Sequence, residues 1–320
     1  MTRNRAMGSV LTQCDTRHEV VLSAEVRAHA LCRMTRDQIS SARRKPGNPP
    51  EGWPALQPSL LRNSDDQTIA AMAAVHATLR RMGPSDPRCL EHWGILVSSR
   101  FLGRSSLVVA LDRFRSDGVW GVSPHLIPHY ALHSPAGTLS LTLGVHGPNL
   151  GVGGGLSSEF EGILTALTWL KAGIVPGLWL VFSGWSPEFV PDREGEPMAD
   201  CECQALAVVL GPPSSAKLDR PCFQVVAGEV LVSPRPLDLT VLAGLLDQSC
   251  RDAGKGSSKR SGIPCDLVVH DGHHDPGIPG PHFAPRTQRR FRARTIASDA
   301  SGRLRVELLS PKFPHVKEVG

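Results

Sequence analysis

The chain has 320 residues, 41% of them hydrophobic and 20% charged, with 31 glycines, 27 prolines and 5% aromatics. That is ample apolar material to offset ordering entropy, so a wholly disordered chain is excluded, and the length admits one large domain or two ordinary ones. The net charge of +5 is uneven: residues 1–60 carry nine basic against five acidic residues, residues 61–250 thirteen against eighteen, and residues 251–320 thirteen against seven. The basic ends have no nucleic-acid reading motif and no interleaved aromatics, so nucleic-acid binding is not expected. The N-terminus is charged and lacks an apolar core segment, and Gln13 before Cys14 argues against a lipoprotein signal. A cytoplasmic protein with reduced thiols is therefore expected among its eight cysteines, and Cys201-Glu202-Cys203 is too tightly spaced for a zinc pair.

Residues 1–60 are punctuated by Arg43-Arg44-Lys45-Pro46-Gly47-Asn48-Pro49-Pro50 and read as an irregular extension with one short helix near Ala24–Cys32. Ile69, Met72, Ala73, His76 and Leu79 recur at helical spacing, which predicts an amphipathic helix over Asp66–Arg81, stopped by Gly83 and Pro84. Trp93–Ser98 reads as a strand, followed by a loop-rich stretch and then Leu126–Leu143. Gly147-Pro148-Asn149-Leu150-Gly151-Val152-Gly153-Gly154-Gly155-Leu156 leads into Ser157, and Ser158 with Glu161 predicts a capping box at a helix start. Phe160, Ile163, Leu164, Leu167 and Leu170 share one face of that helix. The apolar window Ile163–Phe182 contains Lys171 and is broken by Gly173, Pro176 and Gly177, so it reads as helix, turn and buried strand and not as a membrane span. Strands are predicted at Leu178–Ser183, Gln204–Leu210, Val225–Val232 and Asp266–His270, a helix at Leu237–Ala253, and a hairpin from Phe291–Ile296 and Arg303–Leu309. Alternating strands and helices give an α/β layered fold.

A glycine run before a helix start is a place where phosphates or oxyanions are held. A P-loop requires a lysine that is missing beside Gly155-Leu156-Ser157, and a dinucleotide fingerprint from Gly151 and Gly153 needs a glycine where Leu156 stands. No cofactor is therefore expected.

Gly121-Val122-Ser123-Pro124-His125-Leu126-Ile127-Pro128, Ser134-Pro135-Ala136-Gly137-Thr138-Leu139-Ser140 and Gly147-Pro148-Asn149-Leu150 with its elbow resemble the N-terminal half of a β-ketoacyl synthase. The resemblance runs from about Asp65 to Leu210. It implies a thiolase-like fold layered α-β-α-β-α, here shortened in its C-terminal half, and a dimer to which Pro128–Ser140 and Leu178–Ser183 contribute. It divides the chain into the extension at 1–60, a ketosynthase-like half at 61–215, and a reduced half with a basic tail at 216–320. Aligned from Gly147, the family's nucleophilic cysteine position holds Leu156, which forms no thioester, while Gly153, Gly154 and Gly155 form the oxyanion-like elbow. Weak catalytic candidates are the adjacent Ser157 and, where the family carries its first histidine, Asp271 flanked by His270 and His273.

His270, Asp271, His273, His274, Asp275 and His282 fall within thirteen residues, a pattern able to hold zinc, although the glycines and prolines between them make it a loop without a fixed scaffold. Arg290, Arg292 and Arg294 share one face of the predicted strand and suit docking to an acyl carrier protein, which is acidic in this family. The expected function is a non-catalytic subunit resembling a chain-length factor, paired with an active ketosynthase or with itself and met by an acyl carrier protein. The alternatives are an acyltransferase or hydrolase using Ser157, and a metal-binding protein using the histidine loop.

Overall fold

The structure is a computed structural model that describes residues 21–45, 47–53, 58–83, 87–190, 192, 200–213, 222–229, 237–254, 293–298 and 304–310. Its strands are β1 (Val21–Met34), β2 (Gly94–Arg100), β3 (Asn149–Gly154), β4 (Leu178–Ser186), β5 (Glu202–Gly211), β6 (Cys222–Glu229), β7 (Ala293–Ser298) and β8 (Leu304–Ser310). They form one eight-stranded sheet in the order β3-β2-β4-β5-β1-β6-β8-β7. β3, β2 and β4 are parallel, and β5 runs antiparallel to both β4 and β1. The helices are α1 (Arg36–Arg44), α2 (Pro58–Arg62), α3 (Asp66–Met82), α4 (Arg104–Asp117), α5 (Leu126–Tyr130), α6 (Ser134–Leu143), α7 (Ser158–Lys171) and α8 (Leu239–Gly254).

Period-two alternation along the central strands builds two cores. Ile95, Val97, Trp179, Val181, Ala205, Ala207 and Val209 point to one face, where α3 and α6 cover them. Leu96, Leu178, Leu180, Phe182, Leu206, Val208 and Leu210 point to the other, beneath α7 and α8. Strands covered on both sides read as continuous apolar runs, which is why β4 and β5 were visible in the sequence. The α/β layered architecture is as expected. Among the described residues it comprises one sheet between two helical layers, α-β-α.

The expected helix near Ala24–Cys32 is instead β1, a strand of 14 residues paired with β5 on one side and β6 on the other. The segment read as an irregular extension thus lies inside the sheet. A register shift between Val26 and Ala28 breaks the alternation that would have marked it as a strand. The stretch read as loop-rich contains α4, which buries none of its residues and so lacks the apolar stripe of a core helix. Leu178–Ser183, expected at a dimer interface, is buried in the sheet interior between β2 and β5. The hairpin is present as β7 and β8, whereas the strand predicted at Asp266–His270 lies outside the described residues. Among the described residues no helix is long and apolar enough to cross a membrane.

Helix α3 begins at Asp65, whose carboxylate accepts the Gln67 N–H at 2.8 Å. Burial, reinforced by Asp66, pushes the Asp65 carboxyl up to about 7. The folded state therefore holds this proton through a range where the unfolded chain, with an ordinary carboxyl near 3.8, has released it. Its contribution to stability is full below about 4 and is lost as pH rises through about 7. His76 acts oppositely, because burial lowers it to about 4 and stability falls as acid protonates the unfolded chain first. Asp65→Asn keeps an acceptor at the cap while removing the ionisation. In urea unfolding across a pH series, the stability of Asp65→Asn relative to the parent is expected to rise from about pH 4 to above pH 7, His76 cancelling in the comparison. A pH-independent difference would refute the buried-carboxyl assignment.

Candidate functional site

The connections leaving β2 and β3 pass over opposite faces of the sheet, α6 packing with one core and α7 with the other. Where parallel strands diverge in this way, a crevice opens at their carboxyl ends, the usual binding place in α/β folds. At these ends stand Arg100, the last residue of β2, with Phe101 after it, the elbow Gly155–Ser157 after β3, and the end of β4. Phe101 has φ 47, a left-handed conformation rare for a bulky residue, and the Arg104 guanidinium stacks on its ring at 3.8 Å.

The elbow exists because α7 is drawn tightly onto the strand ends. Gly153 has φ +86, and a Cβ there would lie 2.3 Å from the Ser158 Cβ. At Gly162 a Cβ would lie 2.8 Å from that of Ser98, whose hydroxyl donates to the Ser158 carbonyl at 2.5 Å. Gly155, by contrast, has nothing within 4 Å of an added Cβ. The predicted capping box is not formed: Ser157 is the N-cap, Ser158 is the buried first helical residue, and the Ser157 hydroxyl meets Glu161 Oε1 at 3.4 Å.

Beneath the elbow lies a buried polar cluster that the sequence reading did not identify. Arg100 Nε sits 2.7 Å from Glu159 Oε1, with the two side chains 7% and 1% exposed. Gln67 Nε2 donates to the Arg100 carbonyl at 2.7 Å, and Ser183 Oγ donates to Gln67 Oε1 at 3.0 Å. Because the Ser183 proton is committed there, Ser99 is the donor in the 2.8 Å Ser99–Ser183 bond. Burial pushes the Glu159 carboxyl up to about 7, with Arg100 and its own backbone N–H holding it back. The positive end of α7 thus already faces an internal carboxylate in its first turn.

Chemically, Gly155, Leu156 and Ser157 bring no sulfur to the turn, and among the described residues no imidazole is hydrogen-bonded to the Ser157 hydroxyl. Leu156 is 44% exposed there. Ser157 is partnered by a carboxylate and not by an imidazole. Gly153 and Gly154 end β3 with positive φ, and Gly155 follows in the turn. His270, Asp271, His273, His274 and His282 lie outside the described residues, as do Arg290 and Arg292. Arg294 falls in β7, paired in register with Glu307. Among the described residues no group of three or more histidine, cysteine, aspartate or glutamate side chains is placed to hold a metal ion. Glu159 was visible only as a first-turn acid, and its partner Arg100 lies 59 positions earlier on a strand, a pairing with no local sequence signal.

No family model matches the sequence, and no curated protein matches it. Solved structures similar to the chain are ketosynthases and chain length factors. One is a type II polyketide synthase acyl-carrier protein in complex with its ketosynthase bound to the hexaketide, at 14% identity and TM-score 0.42 over 59% of this chain and 62% of that one. Another is the ishigamide ketosynthase/chain length factor, at 15% and 0.43 over 62% and 64%. A third is a β-ketoacyl synthase from Burkholderia phymatum STM815, at 15% and 0.41 over 61% and 60%. The chain thus spans less than two thirds of the length of each of these.

Two substitutions separate the glycines that the elbow requires from those it tolerates. Gly153→Ala is expected to cost about 3 kcal/mol or more through clash and strained φ, while Gly155→Ala stays within about 0.5 kcal/mol. Equal losses in chemical denaturation would contradict the docking of α7 described above. Glu159→Ala, which strands Arg100 in the interior, is expected to lose about 3–5 kcal/mol in the same assay. A loss below about 1 kcal/mol would mean the pair is not buried in solution.

Proposed function

We propose that the chain is a non-catalytic, ketosynthase-like subunit of fatty acid or polyketide assembly, resembling a chain-length factor. It pairs with an active β-ketoacyl synthase, or with itself, in the cytoplasm and is met by an acyl carrier protein. The observation that carries this reading is the elbow. The strand–turn–helix unit is built, yet its turn presents Leu156, which has no atom able to form a thioester. The helix end that would stabilise a developing oxyanion is matched instead to Glu159.

The exposed apolar residues between β2 and β3 support a partner role. Trp120 is 94% exposed, Ile127 72% and Leu141 70%, and Leu107, Leu111 and Phe114 form a half-exposed apolar stripe on α4. An apolar surface of this kind marks a protein contact. β3 ends the described sheet and leaves one backbone edge unpaired beside it. In this reading residues 61–215 form the ketosynthase-like half and 216–320 a reduced half, whose Arg290, Arg292 and Arg294 meet the acidic carrier.

Incubation of the chain with a radiolabelled acyl thioester is expected to leave no stable label, the parent and Ser157→Ala behaving alike. Stable label that disappears in Ser157→Ala would overturn the reading in favour of an acyltransferase. Trp120→Ala and Ile127→Asp are expected to weaken co-elution with the partner synthase by about tenfold or more while leaving the circular dichroism unchanged. Undiminished co-elution of both variants would remove this surface from the interface.

A further inference from the structure

Helix α4 has a second face. Ser106, Val109, Ala110 and Arg113, spaced three to four residues apart, turn away from the apolar stripe and line a cavity of about 360 Å³ closed on its far side by His125, Leu126 and His129 of the α5 segment. We propose that this cavity binds a small organic anion, a phosphate monoester carrying a short apolar body.

The sign of the ligand follows from the lining. The Arg113 guanidinium is the one permanently charged group in it and there is no carboxylate, so the lining favours an anion over a cation. Of the two nearby carboxylates on α4, Asp112 is engaged by Arg115 at 3.0 Å, and Asp117, one turn beyond Arg113 and beside Gly121, is not part of the lining; among the described residues no ion pair is formed by Arg113. The His125 and His129 rings lie one helical turn apart with centroids 6.1 Å from each other, so both imidazoles stand on one wall. The Ser123 hydroxyl accepts the His125 N–H at 3.2 Å, which leaves its own proton to donate into the cavity.

The choice of phosphate follows from donor number. A guanidinium fork, two imidazoles and the Ser106 and Ser123 hydroxyls supply more donors than the two oxygens of a carboxylate engage. The apolar body follows from Val109, Ala110, Val122 and Leu126, which supply the aliphatic part of the lining. The volume sits at the small end of ligand cavities, room for a headgroup and a few carbons.

Calorimetric titration of the full chain with butyl phosphate, inorganic phosphate, butyrate and butyltrimethylammonium tests the proposal without reference to any protein partner. Its failure is therefore distinguishable from failure of the pairing reading. Butyl phosphate is expected to bind about tenfold more tightly than inorganic phosphate or butyrate, and the ammonium probe is expected not to bind. Arg113→Ala, at an exposed position, is expected to weaken butyl phosphate by about tenfold or more, and Val109→Trp, which fills the cavity, to abolish its binding with helix content unchanged. The proposal is overturned if butyl phosphate shows no binding into the millimolar range, or if both variants bind it as the parent does. It is likewise overturned if the ammonium probe or butyrate competes on equal terms.

Discussion

The structure turns on how closely α7 approaches the carboxyl ends of β2 and β3. Two missing Cβ atoms make that approach possible. Gly153 lets β3 turn back under Ser158, and Gly162 lets the helix lie against Ser98 one strand away. The Ser98 hydroxyl then ties the Ser158 carbonyl to β2. With the helix held at this distance, the Glu159 side chain has nowhere to go but into the sheet, where Arg100 waits at 2.7 Å. A side chain at either glycine would lift the helix and expose both charges together, so steric fit and charge pairing are a single constraint.

That constraint decides what the crevice can do. Burying a carboxylate is costly, and two things offset the cost here: the paired guanidinium and the helix N-terminus. Even so, the Glu159 carboxyl remains raised, because burial outweighs both. A helix end occupied by its own acid is poorly suited to stabilise a second negative charge at the turn above it. The chemistry of Leu156 and the electrostatics of Glu159 therefore argue in the same direction, one by lacking a nucleophile and the other by occupying the dipole.

Those parts of the fold governed by local pattern were legible from the sequence. The helical spacing from Ile69 to Leu79 and the apolar run Leu178–Phe182 each carry a period that burial imposes, and α3 and β4 stand where they were read. The misreadings have physical causes. In β1 the polar residues Glu25 and His29 are buried and a register shift interrupts the alternation, so its alanines resembled a helix. Helix α4 buries nothing, and a periodicity detector keyed to core contact has nothing to find. β3 is glycine-rich and announces an elbow far more strongly than a strand. At the site, the elbow glycines were legible because glycine itself marks unusual backbone. The Arg100–Glu159 pair was not, since it joins two segments whose proximity only the completed sheet creates.

The two faces of α4 follow from the same absence of burial. A helix of 14 residues with no contribution to either core is not held in place by the hydrophobic effect that fixes α3 and α7. Its apolar residues divide between two faces: Leu107, Leu111 and Phe114 form a half-exposed stripe on one side, the stripe assigned above to a protein contact, and Val109 and Ala110 on the other wall a cavity. Arg113 belongs to the cavity side, where no acid within the lining neutralises it. Elements that a protein keeps without using them for its own core are suited to recognition. With the elbow turned inward onto Glu159, α4 and the segment that follows it are the parts of the described fold on which both the proposed pairing and the proposed anion site rest.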